Sequence, residues 1–227
     1  MDKTTKIRIQ KSVLSAVEKK ALVWMASRLP LWVTPDLLTA IGFFGALISG
    51  GGYVLSNWGK GFLWLSSFGF VVNWFGDSLD GTLARVRRIE RPKYGFYVDH
   101  NVDAMTALVI VLGAGMSPFL TFSVVMLVLT GYLLLCIFTY INTYLQGVLK
   151  ISYNGMGPTE LRLGIIIINI LFYFLPMENT IFEFMGITAK FFDLLALGVA
   201  FLLMALYFIN FFMDKKKYEK IDPPHRY

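Results

Sequence analysis

Apolar positions run along this chain in six long blocks separated by short polar or turn-forming breaks. Roughly 20 apolar residues suffice to cross a bilayer, so the blocks predict transmembrane helices near 36–56, 61–87, 96–116, 119–146, 160–177 and 190–213. Thr34 and Pro35 open the first helix as an N-cap followed by proline at the first helical position. Pro118 and the Gly147 region bound the fourth, and Gly157-Pro158 precedes the fifth. Within the first helix Gly42, Ala46 and Gly50 recur every four residues, a seam that lets another helix approach closely. The seam predicts packing within the bundle, with a homodimer contact as the alternative.

Residues 6–28 carry a different pattern. Val13, Leu14, Val17, Leu22, Trp24 and Met25 mix with Lys11, Lys19, Lys20 and Arg28, as expected of an amphipathic helix in the lipid headgroup plane; a solvated helix is the plainer reading. The chain thus divides into an N-terminal interfacial helix and basic segment (1–34), a six-helix domain (35–213) and a basic cytosolic tail (214–227). No repeat or separate soluble domain stands out. The expected fold is an all-α integral membrane bundle.

Charge sets the orientation. Of 21 Lys and Arg residues, only Lys60 and Lys190 fall in the loops after the first and fifth spans. The positive-inside bias puts both termini and the second and fourth loops in the cytoplasm, of a bacterial inner membrane or the endoplasmic reticulum. Composition agrees: 56% of residues are hydrophobic and the mean hydropathy is +0.60. The net charge of +6 favours anionic lipid surfaces over nucleic acid. Lys3, Lys6, Arg8 and Lys11 precede no short apolar region with a cleavage site, so no cleaved signal peptide is expected. Cys136 is the single cysteine, which excludes a disulfide framework or thiolate metal site and reads as a packing residue.

One interruption of the apolar pattern carries the chemistry. From Gly76 to Ala104 the chain reads GDSLDGTLARVRRIERPKYGFYVDHNVDA. Asp77 and Asp80 are three apart and Asp99 and Asp103 four apart, so each pair shares a helix face. A helix from Gly61 to Arg88 would be about 42 Å long and would emerge on the cytoplasmic side. Only the link 89–94 separates it from the next helix, so the four acids meet in one cytosol-facing cavity. Ionised acids at such a depth are costly and functional by default. With no matching cations beside them, they call for something positive, most simply a pair of divalent ions. Oxygen-only ligands point to hard ions, Mg²⁺ first, with Mn²⁺ or Ca²⁺ as alternatives. Asp77, Asp80, Gly81, Ala84 and Arg85 share one broad face, where Gly81 and Ala84 leave room for a phosphorylated ligand and Arg85 offers a fork for phosphate oxygens. Two such ions could clamp a pyrophosphate for in-line displacement at phosphorus.

The segment resembles the CDP-alcohol phosphatidyltransferase family, whose signature is D-x2-D-G-x2-A-R, eight or nine residues, then G-x3-D-x3-D. Asp77, Asp80, Gly81, Ala84, Arg85, Gly95, Asp99 and Asp103 match every fixed position. The resemblance implies two Mg²⁺ ions, with Asp77 and Asp99 bridging both and Asp80 completing one. It implies that Asp103 serves the other ion or accepts a proton, and that Asp80, Gly81, Ala84, Arg85 and Gly95 form the CDP site. It also implies cleavage of a CDP-linked substrate, release of CMP, transfer of the remaining phosphoryl unit to an acceptor hydroxyl, and a homodimer.

Three shorter features are similar to the choline/ethanolamine phosphotransferase branch: Pro35-Asp36-Leu37-Leu38-Thr39 before the first span, His100 after Asp99, and Asn142–Leu149 with Thr159-Glu160. They imply a CDP-aminoalcohol donor and diacylglycerol as acceptor. His100 oriented by Glu160 would suit removal of the acceptor proton, with Asp103 as the competing base. Alternatively, His100 bonds locally and Glu160 only begins its helix at the positive dipole end. The other family reading uses CDP-diacylglycerol and a small polar alcohol, for which Lys150 and Arg162 are the cations outside the motif loop. Arg87, Arg88, Arg91 and Lys93 either draw the nucleotide to the cavity or anchor the loop. Asn73 reads as a supporting residue near Asp77. An ion or proton transporter is the reading from a different class, but its polar groups would extend across the bilayer, whereas these acids cluster at one side.

Overall fold

The computed structural model describes residues 7–9, 15–146, 148–150, 158–174, 181–184 and 187–224. In chain order these form β1 (Ile7–Ile9), α1 (Ser15–Arg28), α2 (Pro35–Leu55), α3 (Phe62–Val86), α4 (Pro92–Gly115), α5 (Phe122–Gln146), β2 (Val148–Lys150), α6 (Pro158–Phe174), β3 (Ile181–Phe184), β4 (Ile187–Lys190) and α7 (Phe191–Ile221). Helices α2 to α7 coincide with the six apolar blocks. By length and composition α2, α5 and α7 over Phe192–Ile221 can cross a membrane. Helices α3 and α4 carry the acids, and α6 has 17 residues. Lys215–Lys220 extend α7 as further helical turns.

The N-terminal segment departs from the expected helix over 6–28. The alternating Ile7-Arg8-Ile9 pairs in parallel with Val148–Lys150, and the described helix spans Ser15–Arg28, residues 10–14 lying outside the described residues. β-branched alternation favours the extended state, and a partner strand captures it. Helix α1 is also less peripheral than its pattern predicts. Leu22 and Ala26 are buried with Val33, Leu38, Leu79 and Leu83 in one apolar cluster, while Trp24 and Val17 remain exposed. Two polar clamps hold it. Glu18 accepts hydrogen bonds from Trp74 Nε1 (2.8 Å) and Thr159 Oγ1 (2.6 Å), tying α1 to α3 and α6. Arg87 donates to the carbonyls of Leu29 (2.9 Å), Pro30 (2.8 Å) and Val33 (2.5 Å). Those carbonyls follow the C-terminus of α1, where backbone acceptors lack helical partners. Arg87 thus ties the end of α3 to the segment after α1, a role different from either of the two expected of it.

Glycine allows α2 and α3 to touch along their backbones. A Cβ on Gly45 would lie 2.8 Å from Asn73 Cα and 2.8 Å from the Gly69 oxygen. A Cβ on Gly76 would strike the Gly42 backbone, and one on Gly42 would sit 3.1 Å from Asp77 N. Gly50 and Gly113 make the corresponding close approach between α2 and α4. The predicted small-residue seam is therefore used inside the bundle. Polar links reinforce it: Tyr53 of α2 donates to Asn169 of α6 (2.8 Å), which donates to Ser67 of α3 (3.2 Å). At the other end of α3, Arg88 adopts φ 57°. Ile89 N bonds Ala84 O and Arg88 N bonds Arg85 O, closing a Schellman turn that redirects the chain into α4.

The seam separates two glycines in one helix. Gly45→Ala is expected to destabilise the detergent-solubilised protein by about 1–3 kcal/mol through overpacking. Gly51→Ala, where a Cβ would meet nothing within 4 Å, should be neutral or stabilise by about 0.5–1 kcal/mol. Melting temperatures of the two variants check this, and equal effects would contradict the close crossing.

Candidate metal and phosphate site

Because Gly42 lets α3 lie against α2, Asp77 faces a space closed on its other side by α4. Asp77, Asp99 and Asp103 line one narrow cleft there with Asn73, Thr39 and Thr106. Of the four acids expected to meet in one cavity, Asp77, Asp99 and Asp103 line this cleft, and Asp80 is not among its lining residues. On α4, ligand atoms of Asp99, His100 and Asp103 lie within 4.8 Å of one another, close enough to hold a metal ion.

Asp80 is held rather than open. Thr39 Oγ1 donates to its Oδ2 at 2.6 Å, and the Gly81 amide donates to its Oδ1 at 2.5 Å. Thr39 was legible only as the end of a short motif; its partner lies 41 positions away. Gly81 keeps the space beside Arg85 clear, since a Cβ would lie 3.3 Å from Arg85 Nη1. Arg85 itself donates to Thr82 Oγ1 at 3.0 Å. Ala84 is half-buried less than a helical turn from Gly81, and Gly95 is exposed at the start of α4.

The expectation that the acids have no matching cation is overturned. Arg162, near the start of α6, places Nη2 2.6 Å from Asp77 Oδ2 and donates from Nε to Asn73 Oδ1 at 2.9 Å. Asn73 is fixed in turn by its bond to the Gly42 carbonyl at 2.9 Å. The sequence placed Arg162 on the cytoplasmic side but could not reveal that 85 positions separate it from an ionic partner. The visible sign was a single arginine near the start of a helix whose later turns are mostly apolar.

His100 is clasped between aromatic rings, 4.0 Å from the Phe96 centroid and 4.7 Å from that of Tyr140 on α5. Its Nδ1 lies 3.2 Å from Asp99 Oδ2 but out of hydrogen-bond alignment, so this buried nitrogen has no hydrogen-bond partner among the described residues. Glu160 begins α6, the helix that carries Arg162 and packs on α3, whereas His100 turns toward α5. In the branch-like segment, Asn142 and Gln146 bind the hydroxyl of Tyr218 on α7 at 2.9 and 3.0 Å. Cys136 is half-buried with side-chain bonds to Tyr132 and Tyr140. Lys150, Arg226 and His225 have side chains outside the described residues.

Chemically, the cleft offers hard oxygen donors, with a guanidinium paired to Asp77 and an imidazole beside Asp99 and Asp103. That set fits divalent cations and phosphorylated ligands. A family model described as CDP-alcohol phosphatidyltransferase matches residues 32–213. No curated protein matches the chain.

Thr39→Val is expected to lower Mn²⁺ affinity by about 10- to 100-fold, the usual effect of removing a partner that orients a metal-binding side chain. Titration of the purified protein by electron paramagnetic resonance checks it; unchanged affinity would remove Asp80 from the ligand set.

Proposed function

Since the chain belongs to the CDP-alcohol phosphatidyltransferase family, we propose that it is a Mg²⁺-dependent enzyme transferring phosphoaminoalcohol from a CDP-linked donor to diacylglycerol. Membership makes it a transferase of phosphate-containing groups that acts in phospholipid synthesis. Its apolar helices and family make it an integral membrane protein. The single observation that carries the proposal is the meeting of Asp77, Asp99 and Asp103 in one cleft, with Asp80 fixed beside them by Thr39.

In this reading Asp77, Asp80, Asp99 and Asp103 would hold two Mg²⁺ ions, Mn²⁺ substituting. Bound there, the ions would neutralise the pyrophosphate and make its phosphorus more electrophilic. Gly81, Ala84, Arg85 and Gly95 would form the CDP site, with Arg85 directed at phosphate oxygens. The acceptor oxygen forms a bond to the phosphorus bearing the alcohol. The bond from that phosphorus to the bridging oxygen breaks, and CMP leaves with the bridging oxygen. The acceptor proton passes to a base in the cleft. Asp103, which lines the cleft, is the base the geometry supports best, and His100 oriented by Glu160 is the alternative.

The reading includes six spans, with the termini and cleft cytoplasmic, and α1 at the interface through exposed Trp24. A homodimer would have to use a surface other than the internal glycine seam.

A second reading is favoured by Arg162. A guanidinium paired with the cleft-lining Asp77 suits an anionic acceptor, and so CDP-diacylglycerol with a small polar alcohol bearing phosphate.

CMP release by the purified protein with Mg²⁺ tests both. CDP-choline or CDP-ethanolamine with diacylglycerol is expected to yield CMP, and Asp77→Asn should lower that rate by at least on the order of 10²-fold. CMP formed only from CDP-diacylglycerol and a polar alcohol would overturn the donor assignment in favour of the second reading.

A further inference from the structure

Arg162 is built into the acid cluster rather than resting against it. Its side chain is 14% exposed and that of Asp77 26%. Its Nε is aimed by Asn73, itself 3% exposed and fixed to the α2 backbone. Three residues earlier, Thr159 is bound to Glu18, which also receives Trp74 of α3. Two side-chain anchors thus hold the start of α6 against the helix that bears Asp77. The guanidinium occupies one carboxylate oxygen of the residue on which a bound divalent ion would depend.

We propose that Arg162 is the resident counter-ion of this cluster, competing with divalent cations for Asp77 and releasing it when they bind. The inference rests on the metal reading above and adds the exchange of ionic partners at Asp77. Charge accounts for the arrangement. Removing one member of a poorly solvated ion pair leaves the other uncompensated, so a cluster of acids awaiting cations benefits from an internal positive charge. The same charge lowers affinity for incoming divalent ions, because a like charge a few ångströms away acts strongly where water is scarce. Arg162 therefore stabilises the metal-free bundle and raises the cation concentration needed to load it. Asn73 would keep the guanidinium nearby after Asp77 is released, since its bond goes to Nε while the ion pair uses Nη2.

The test is Mn²⁺ binding to the full-length protein in detergent, without nucleotide or lipid, measured by electron paramagnetic resonance of free Mn²⁺. Arg162→Gln is expected to bind Mn²⁺ about tenfold more tightly than the wild type. Its metal-free melting temperature should fall, and Mn²⁺ should raise it more than in the wild type. Arg162→Lys retains the charge but cannot bridge Asn73 and Asp77 in the same way. It should give a smaller tightening, and it serves as the readout should Arg162→Gln fail to fold. Equal or weaker binding in the substituted protein, with binding abolished by Asp77→Asn, would overturn the counter-ion role while leaving the metal site intact. Absence of Mn²⁺ binding in wild type and both Arg162 variants would overturn the two readings together.

Discussion

Backbone contact between α2 and α3 governs the positions of nearly everything else. Gly42, Gly45, Gly69 and Gly76 bring the two helices so near that a single added methyl group would meet main chain. In lipid, such close approach replaces the hydrophobic drive that holds soluble helices together with dispersion between backbones. Its functional result is local. Gly42 lies against Asp77, and Thr39, almost one turn earlier, reaches Asp80 at 2.6 Å. Helix α4 then packs on α2 through Gly50 and Gly113, which presents Asp99 and Asp103 to the same cleft. A bulkier seam would separate the acids before any ligand arrived.

The second constraint is electrostatic. Four carboxylates in a poorly solvated bundle must each be compensated, and the structure treats them differently. Asp80 receives a hydroxyl and an amide; Asp77 receives Arg162; Asp99 lies beside the His100 ring. Asp103 is within electrostatic reach of Asp77, Asp80, Asp99 and Arg162. Arg162 pairs with one of these carboxylates, and the gathering of acids is what connects the fold to phosphoryl chemistry. Helix α1 contributes indirectly, since Glu18 braces both the helix of Asp77 and the helix of Arg162.

Much of this was legible because it is local in sequence. The apolar blocks located α2 to α7, and intervals of three and four placed each acid pair on a common face. The turn between α3 and α4 was short enough to require that the pairs meet. What escaped was non-local. No spacing announces that Arg162 pairs with Asp77, that Trp74 and Thr159 share Glu18, or that Arg87 gathers the carbonyls after α1. Those bonds join residues 54 to 141 positions apart, and each depends on packing settled elsewhere. The N-terminal strand escaped for another reason. Three residues of alternating pattern carry little signal until Val148–Lys150 supplies a partner.

The most direct measurement of the central claim is anomalous diffraction from crystals of the protein loaded with Mn²⁺. The account requires two peaks among the carboxylates of Asp77, Asp80, Asp99 and Asp103. Well-ordered crystals with no peak in that cluster, or with Mn²⁺ bound only at acids elsewhere, would contradict it.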